Sequence, residues 1–590
     1  MCVGAFIIVL NPEEMPELPL LERLKERKLV QWALAYLAGA FVVFQAVEVM
    51  AEPWGISSAV QRGVHILLVI GLFITFVLAW YHGERGRQRV SGPELLMVAG
   101  ILVVAGVALW TLTGPRVANP VGEPPPDDGR PSIAVLPLSN NSPDPADVYF
   151  ADGMQGELVT MLGRISGLSV RGPTSVMRYR DYPKSLPEIA TELGVSYVIE
   201  GGVRIAGGQV SFTAQLMDAA RDQLLWAAEF DSEFSVKDLM SIHRKIAEQV
   251  VSQVEAILTP ADEARIESVP TASTEAYEEY LRGRFHLSGR TAQDLETAVG
   301  HFQRALELDP TFAKALSGLA DCYTLATYYA GDVNPGEMFR RGEGAAEEAL
   351  RLDPDLAAAH ASLGYLKLIS RRDWAGAEAS LRRAIALDPA YPQAHQWLAD
   401  LLVFSGRFEE GVREGQLSLD LDPLAFSLNY SQAMRLLRSR DFEAAVTQFE
   451  RTIELYPHIF LGWAGLAETR LVMGDVEGAI QNRSRSDQLF GIDPVLSETF
   501  LAMISDFHRN KNPGRLPPAF DTLAGFLPGW RATAAMYVGD TSTALRWVEE
   551  AAHGNWPDML VCRIAPVFDP LRDNPRFQAL MKEYSDGVER

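Results

Sequence analysis

Six carboxylates between residues 150 and 235 have side chains that could serve general acid–base catalysis. They are Asp152, Glu157, Glu200, Asp218, Glu229 and Asp231. Such catalysis needs a proton donor and a proton acceptor positioned at one substrate. The spacing of these residues singles out no pair, and they fall near the ends of predicted strands and helices. We therefore expect solvated carboxylates here and no acid–base pair.

Other candidate reactive groups also lack the spacing that their chemistry requires. Gly201-Gly202 and Gly207-Gly208 lie in or between predicted strands and belong to no phosphate-binding G-x-x-x-x-G-K-[ST] or G-x-G-x-x-G loop. His243 is the only histidine of this region, which contains neither a serine nucleophile elbow nor an H-E-x-x-H motif. The three cysteines are too far apart for a metal site or a disulfide framework. They are Cys2, Cys322 and Cys562. The sequence predicts no catalytic, cofactor-binding or metal-binding residue, and a protein that is not an enzyme.

Length and charge distribution indicate several domains and disfavour one class of partner. A chain of 590 residues is too long for a single hydrophobic core. Residues 1–116 contain nine Lys or Arg and nine Glu, so the net charge of −23 lies entirely after residue 116. Because an acidic body repels phosphate backbones, we expect no nucleic-acid partner.

A repeated Leu-Asp-Pro motif marks the second half of the chain. The motif and its variants end at Pro310, Pro354, Pro389, Pro423, Pro457 and Pro494. The intervals are 44, 35, 34, 34 and 37 residues. A period near 34 residues that closes with proline is typical of tetratricopeptide repeats, which are stacked helix–turn–helix units. We therefore predict an all-α superhelix, with extra residues of the second repeat in a loop near 331–338.

Stacked repeats of this type curve, and their first helices line a concave groove. Fitting the repeats to the sequence predicts which side chains point into that groove. They are Tyr365, Gln396, Asp400, Tyr430, Met434, Arg438 and Glu468. Aromatic, amide and charged groups together are suited to an extended peptide or a helix. A solvated inner face without a defined ligand is the alternative.

Three apolar segments, 29–50, 63–81 and 95–113, are each about one bilayer long and predict three transmembrane helices. The segments before the first span and between the second and third spans contain seven basic residues. The segments that lie on the opposite side of the membrane contain two. The positive-inside rule then places the amino terminus in the cytoplasm and residues 114–590 on the extracytoplasmic side of the membrane. The bilayer is accordingly a predicted partner.

The region after the Pro- and Gly-rich segment 114–130 switches to a mixed α/β pattern. A β-branched run at 132–138 predicts a buried strand, and 149–165 has the period of an amphipathic helix. A second helix is expected at 186–193, ended by Gly194. Alternating runs on both sides of Gly207-Gly208 predict a β-hairpin, followed by another strand and a long helix at 236–258.

The residues of this region carry a family resemblance. The stretch SIAVLPLSNNSPDPADVYFADGMQGELVTMLGRISGLSVRGPTS, followed by LGVSYVIEGGVRIAGGQVSFTAQLMDAARDQLLWAAEFD, resembles the FlgO-like (TolB amino-terminal-like) domain. The resemblance implies a bacterial membrane-anchored protein in which a non-catalytic envelope module precedes tetratricopeptide repeats. The expected membrane is then the bacterial inner membrane, and residues 114–590 are expected in the periplasm. Relatives of that kind can carry an amino-terminal cyclase, kinase or DNA-binding domain, whereas a short lead-in is expected here.

The predicted fold class is therefore multidomain, with three transmembrane α-helices, a small α/β domain and an all-α tetratricopeptide superhelix. The predicted segments are a cytoplasmic lead-in (1–28), a three-helix membrane anchor (29–113), a Pro/Gly-rich linker (114–130), a FlgO-like α/β domain (131–260) and a repeat array (274–586) of about six repeats plus a degenerate capping unit. The expected function is a non-enzymatic scaffold or sensor that recruits a protein or peptide and needs no cofactor. A signalling subunit that relays an envelope signal inward and an enzyme in the α/β domain remain alternatives, and the oligomeric state stays open.

Overall fold

The computed structural model describes residues 129–180, 184–267, 269–329, 333–522, 528–554 and 556–583, together with Ala40. The chain divides into two compact units, Met1–Glu123 and Pro124–Arg590. The described elements belong to the second unit. Apart from Ala40, the three segments predicted to span a membrane lie outside the described residues.

A mixed β-sheet forms the centre of the α/β domain. Its strands are β1 (Ser132–Val135), β2 (Ser139–Asn140), β3 (Ser169–Val170), β4 (Tyr197–Ala206), β5 (Gln209–Asp218) and β6 (Gln223–Glu233). The order is β3-β1-β4-β5-β6, with β2 paired to β4. β1 runs parallel to β3 and β4, whereas β4, β5 and β6 are antiparallel. The predicted hairpin is confirmed, since Gly207 and Gly208 join β4 to β5 with φ of 61° and 77°, values that glycine adopts without strain.

Five α-helices accompany the sheet in the described residues, with a 3₁₀ helix at Pro145–Asp147 just before the first. They are α1 (Val148–Gly163), α2 (Pro173–Met177), α3 (Leu186–Leu193), α4 (Val236–Gln253) and α5 (Pro260–Ile266). α3 begins with a capping box between Ser185 and Glu188 and ends at Gly194 in the left-handed conformation, as predicted. α1 and α4 pack on one face of the sheet and α2 and α3 on the other.

The rest of the described chain is helical. Six antiparallel pairs follow one another, namely α6 (Thr274–Gly289) with α7 (Ala292–Leu308), α8 (Ala313–Tyr329) with α9 (Pro335–Leu352), α10 (Ala357–Leu366) with α11 (Trp374–Leu387), α12 (Pro392–Phe404) with α13 (Phe408–Leu421), α14 (Phe426–Arg438) with α15 (Phe442–Leu455), and α16 (Phe460–Val472) with α17 (Val476–Phe490). We number them as repeats one to six. After them come α18 (Pro494–Asn510), α19 (Pro528–Tyr537), α20 (Thr541–His553), α21 (Met559–Ile564), a 3₁₀ helix at Pro566–Leu571, and α22 (Pro575–Glu583).

The Leu-Asp-Pro motif ends the second helix of four of these pairs. Asp309, Asp353, Asp388 and Asp422 follow the last helical residue with φ between −141° and −132°. A proline disfavours the helical region for the residue before it, so each aspartate leaves the helical conformation and the chain turns toward the next helix. The extra residues of the second repeat mainly lengthen its helices, because 335–338, expected in a loop, belong to α9.

No helix within the described ranges combines the length and the apolar character that crossing a bilayer requires. The longest helices, such as α4, have 18 residues, and α4 carries charged residues, including Lys237, Arg244 and Glu248, along its length. Three transmembrane helices are therefore not supported, and the predicted fold class is corrected to an α/β domain followed by an all-α repeat superhelix. The predicted inner-membrane localisation, which depended on those three helices, is likewise not supported by any helix of the described residues.

The α/β domain packs directly on the repeats, which the sequence did not indicate. One hydrophobic core runs from the sheet through α1 and α4 into repeats one and two, and includes Phe212, Tyr277 and Phe302. Within the contact, the ammonium of Lys314 in α8 donates a 2.6 Å hydrogen bond to Glu157 in α1. The domain and the array thus form one compact body.

Candidate functional site

Three of the seven predicted groove residues are used for internal packing. Tyr365 is buried, stacks on Trp397 at 4.9 Å between ring centroids, and its hydroxyl lies 2.7 Å from that of Tyr328. Gln396 is buried and donates a 3.0 Å hydrogen bond to Ser431. The repeats therefore fix these polar groups in contacts between neighbouring units.

Asp400 has an internal partner as well. Its carboxylate lies 3.0 Å from a terminal nitrogen of Arg435, a side chain that is fully buried between repeats four and five. The same guanidinium donates a 3.0 Å hydrogen bond to the main-chain carbonyl of Gln396. Asp400 compensates a buried cation, which accounts for a charged residue at this position without any ligand.

The stretch 559–571, here named the C-terminal segment, covers this part of the inner face. Leu560 is buried in the same apolar cluster as Tyr365 and Trp397. Arg563 donates a 3.0 Å hydrogen bond to the carbonyl of Phe404 at the end of α12. Asp569 accepts two bonds of 2.8 and 2.9 Å from Arg440, just after α14. The inner face of repeats three and four is therefore occupied by the chain itself.

The other four predicted residues, Tyr430, Met434, Arg438 and Glu468, line one cleft next to the C-terminal segment. The cleft has a cavity volume of about 130 Å³. α14 and α16 form one side of it, and residues of α17, α19 and α21 complete it. The structure thus brings these four side chains together, and their role in binding stays a prediction.

The walls of the cleft are largely aromatic. Phe460 lies 4.7 Å from Phe490 and 6.3 Å from Trp530 between ring centroids, and both contacts are edge to face. Tyr430 also lines the cleft, and burial raises the pKa of its hydroxyl to about 12. Aromatic walls offer a large contact area and ring faces that attract cations.

The cleft also contains acidic groups, which differ in whether a basic side chain is paired with them. Asp487 is paired with Arg483 at 2.7 Å. Glu468 accepts a 3.3 Å hydrogen bond from Tyr537, and burial raises the pKa of its carboxyl although Arg438 opposes the shift. Asp558 accepts a 2.6 Å hydrogen bond from the main-chain NH of Gly529, and burial raises its pKa to about 6. The cleft therefore combines apolar area with polar groups of both signs.

Several cleft residues were not predicted from sequence. Phe460 and Ala464 lie on the first helix of repeat six, so the repeat fit that gave Glu468 could also have found them. Trp530 and Asp558 come from the degenerate end of the array, where no repeat period guides the fit. Their position depends on the C-terminal segment folding back, for which no local sequence signal exists.

The carboxylates of the α/β domain are not gathered into a site. Asp152 pairs with Arg180, Glu157 with Lys314 and Asp218 with Arg221, so each of these three has its own cation. In the described part of the chain, no group of three or more His, Cys, Asp or Glu side chains is placed to hold a metal ion. We find no arrangement there that resembles a catalytic pair.

Comparison with known families supports the repeat assignment. Two tetratricopeptide repeat models match residues 368–414 and 430–482. The chain therefore contains tetratricopeptide repeats, and its class is that of a repeat protein with an attached α/β domain. Residues 129–249 match the model described as HilA/YgeH-like transcriptional regulator, second domain. The FlgO-like assignment of this domain is not shown.

Parts of the chain are also similar to individual proteins. The chain is 31% identical over 279 residues to a putative adenylate cyclase 3 of Rhizobium meliloti, a match that covers 46% of this chain and 44% of the relative. Among solved structures, YrrB, a tetratricopeptide protein with an unusual peptide-binding site, shares 16% identity at a TM-score of 0.25, covering 34% of this chain and 96% of YrrB. PilF of Pseudomonas aeruginosa shares 15% identity at a TM-score of 0.26, covering 45% and 99%. The likeness to these two structures is one of fold alone.

Proposed function

We propose that the chain is a non-enzymatic interaction scaffold that binds a protein or peptide segment in the cleft between α14, α16 and α19. The observation that carries the proposal is the cleft itself. It is the place on the inner face where predicted groove residues border a cavity, whereas Tyr365, Gln396 and Asp400 have internal partners. Tetratricopeptide repeats are protein-interaction modules, which gives the cleft a plausible class of ligand.

The dimensions and chemistry of the cleft are suited to part of a peptide. The cavity of about 130 Å³ offers room for one side chain, and anchor side chains of protein interfaces bind in such desolvated pockets. The aromatic rings of Tyr430, Phe460 and Trp530 supply contact area, and Arg438 can donate to a main-chain carbonyl. Binding would thus use one anchor residue and the peptide backbone.

The test is a selection of 12-residue peptides from a random phage library on the immobilised full chain. Affinities of the enriched peptides are then measured by fluorescence anisotropy on wild type and two variants. Ala464→Phe fills the cleft and should weaken binding at least about tenfold. Thr447→Phe introduces the same side chain at an exposed position outside the cleft and should leave affinity unchanged. Equal affinity in all three proteins, or no enriched sequence, would refute the proposal.

A second candidate function is a regulatory module of a signalling protein. Two relationships favour it, the match of residues 129–249 to a transcriptional-regulator domain and the relative named as a putative adenylate cyclase. The match covers 44% of the length of that relative. We expect the full chain to form no cyclic AMP from ATP and Mg²⁺. Measurable synthesis of cyclic AMP would contradict the proposal that the chain is non-enzymatic.

A further inference from the structure

Asp558 is a buried carboxylate in the cleft, and the described residues supply it with no compensating cation. Its residue is 6% exposed, and Oδ2 accepts the hydrogen bond from the NH of Gly529. Oδ1 is buried and has no hydrogen-bond partner. Across the described part of the chain, no basic side chain forms an ion pair with this residue. One half of the carboxylate is therefore satisfied and the other half is left for an incoming group.

The other two acids of the cleft differ from Asp558 in this respect. Asp487 holds Arg483 at 2.7 Å and also accepts a 2.8 Å bond from Ser497. Glu468 accepts from Tyr537 and is influenced by Arg438. Because each of these acids already has a partner inside the protein, Asp558 is the position where a ligand would gain most.

A buried carboxylate without a counter-charge is unfavourable, because burial removes its hydration without replacing it. Two events relieve this cost, namely protonation of the carboxyl and arrival of a cation that donates to Oδ1. The aromatic walls favour the second event, since the faces of Tyr430, Phe460 and Trp530 can contact the methylene stem of a long cationic side chain. The chain's net charge of −23 also attracts a basic partner.

A second unsatisfied atom indicates how such a ligand would be oriented. Nε of Arg438 is buried and forms no hydrogen bond, and its guanidinium lies 5.5 Å from the centroid of Phe404. This nitrogen can only donate, so it needs an acceptor such as a peptide carbonyl. A basic residue offers both groups, with a donor at the end of its side chain and an acceptor in its main chain.

We propose that the cleft recognises a peptide segment through one lysine or arginine side chain, whose cation binds Oδ1 of Asp558 while its main-chain carbonyl accepts from Arg438. The proposal rests on the peptide-binding function proposed above and specifies the anchor residue. An acidic side chain bound to Arg438 is the competing ligand chemistry. The observations favour the basic residue because Arg438 already acts on Glu468, whereas among the described residues no cation acts on Asp558.

The probes are five-residue peptides, acetylated and amidated at their ends, with Lys, Nε-acetyl-lysine or Glu between glycine pairs. Their binding to the full chain is measured by ligand-observed NMR at low ionic strength. We expect the lysine peptide to bind at least about tenfold more tightly than the acetyl-lysine peptide, which has nearly the same stem but no charge. Equal binding of these two peptides, or preference for the glutamate peptide, would overturn the proposal.

Two variants assign the effect to one carboxylate. Asp558→Asn keeps an oxygen that accepts from Gly529 and removes the charge, so the preference for lysine should disappear. Asp573→Asn makes the same change at an exposed residue outside the cleft and should preserve the preference. A preference that survives in Asp558→Asn overturns the proposal. Should Asp558→Asn fail to fold, which thermal unfolding would reveal, the lysine and acetyl-lysine comparison on wild type still decides.

The selected phage peptides separate this inference from the proposed function. If they bind wild type and lose affinity in Ala464→Phe while lysine confers no advantage, the peptide-binding function stands and the lysine anchor fails. If neither set of peptides binds, both proposals fail.

Discussion

The carboxylate of Asp422 accepts a 2.6 Å hydrogen bond from the main-chain NH of Ser175, which joins the end of repeat four to α2 of the α/β domain. The hydroxyl of Ser175 donates to the same carboxylate and accepts a 2.8 Å bond from the NH of Leu424. The NH of Gly172 donates a 2.7 Å bond to the carbonyl of Leu421. One Leu-Asp-Pro motif thus ends a helix and also attaches a second domain.

Replacing Asp422 should therefore destabilise the protein more than replacing the equivalent aspartate of another repeat. Asp422→Ala leaves buried donors of α2 without an acceptor, and we expect the free energy of unfolding to fall by about 2–3 kcal/mol. The control is Asp353→Ala, at an exposed aspartate of the same motif, for which a loss below about 1 kcal/mol is expected. Urea denaturation measures both. Equal losses would mean that the contact with α2 contributes nothing beyond the turn.

The comparison of Asp422 with Asp353 also shows how far the sequence could predict the fold. Both lie in the same motif, and the proline that follows each one determines that the helix ends there. A second local rule, the freedom of glycine to adopt positive φ, gave the hairpin at Gly207-Gly208 and the stop at Gly194. These features were predictable because neighbouring residues fix them.

Long-range packing was not predictable in this way. Nothing next to Asp422 distinguishes it from Asp353, and its partner Ser175 is 247 residues away in the chain. The return of Leu560 onto Tyr365 likewise depends on the shape of the whole array. For this reason the repeat fit gave four residues that line the cleft and three that the repeats use internally, and it did not give Trp530 or Asp558.

Phe302 fills a gap between two helices that only glycine leaves open. A Cβ added at Gly318 would lie 2.5 Å from Cζ of Phe302, and one added at Gly283 would lie 2.6 Å from its Cε1. Because the ring is fully buried it cannot move aside, so Gly318→Ala should destabilise the chain by about 1–3 kcal/mol.

The control for this prediction is Gly300→Ala, in the same helix as Phe302. No atom lies within 4 Å of the Cβ position at Gly300, which is exposed. Alanine in an unobstructed helix should stabilise by about 0.5–1 kcal/mol. Thermal unfolding should therefore shift in opposite directions for the two variants. A shift in the same direction for both would contradict the close packing around Phe302.

Cys322 and Cys562 should be unreactive thiols in the folded protein. Each residue is 1% exposed, and burial raises the pKa of both thiols well above the usual value. Because the thiolate is the reactive form, modification by Ellman's reagent should be slow. In a Cys2→Ser variant we expect almost no colour under native conditions and two thiols in denaturant. Rapid modification of either thiol without denaturant would show that its helix opens.

His243 should make the protein less stable in mild acid. The ring is fully buried in α4, packs edge to face on Phe212 at 5.9 Å, and burial lowers its pKa to about 4 from 6.5 despite the attraction of Glu157. Between these two pH values the unfolded chain binds more protons at this residue than the folded chain does. The stability associated with neutral His243 is therefore complete above pH 6.5 and is lost as the pH falls toward 4. At about 1.4 kcal/mol for each pKa unit, the loss approaches roughly 3 kcal/mol.

Replacing His243 by phenylalanine, which has a similar shape and no titrating group, should remove this loss. The free energy of unfolding of His243→Phe should decline less than that of wild type between pH 7 and pH 4.5, measured by urea denaturation at each pH. Asp321 and Asp558, whose pKa values burial raises to about 6, act in the opposite direction in both proteins and cancel in the difference. The control His553→Gln removes an exposed histidine and should follow wild type. If His243→Phe and wild type lose stability in parallel, the acid sensitivity arises at other residues, because a neutral buried imidazole requires the two curves to diverge.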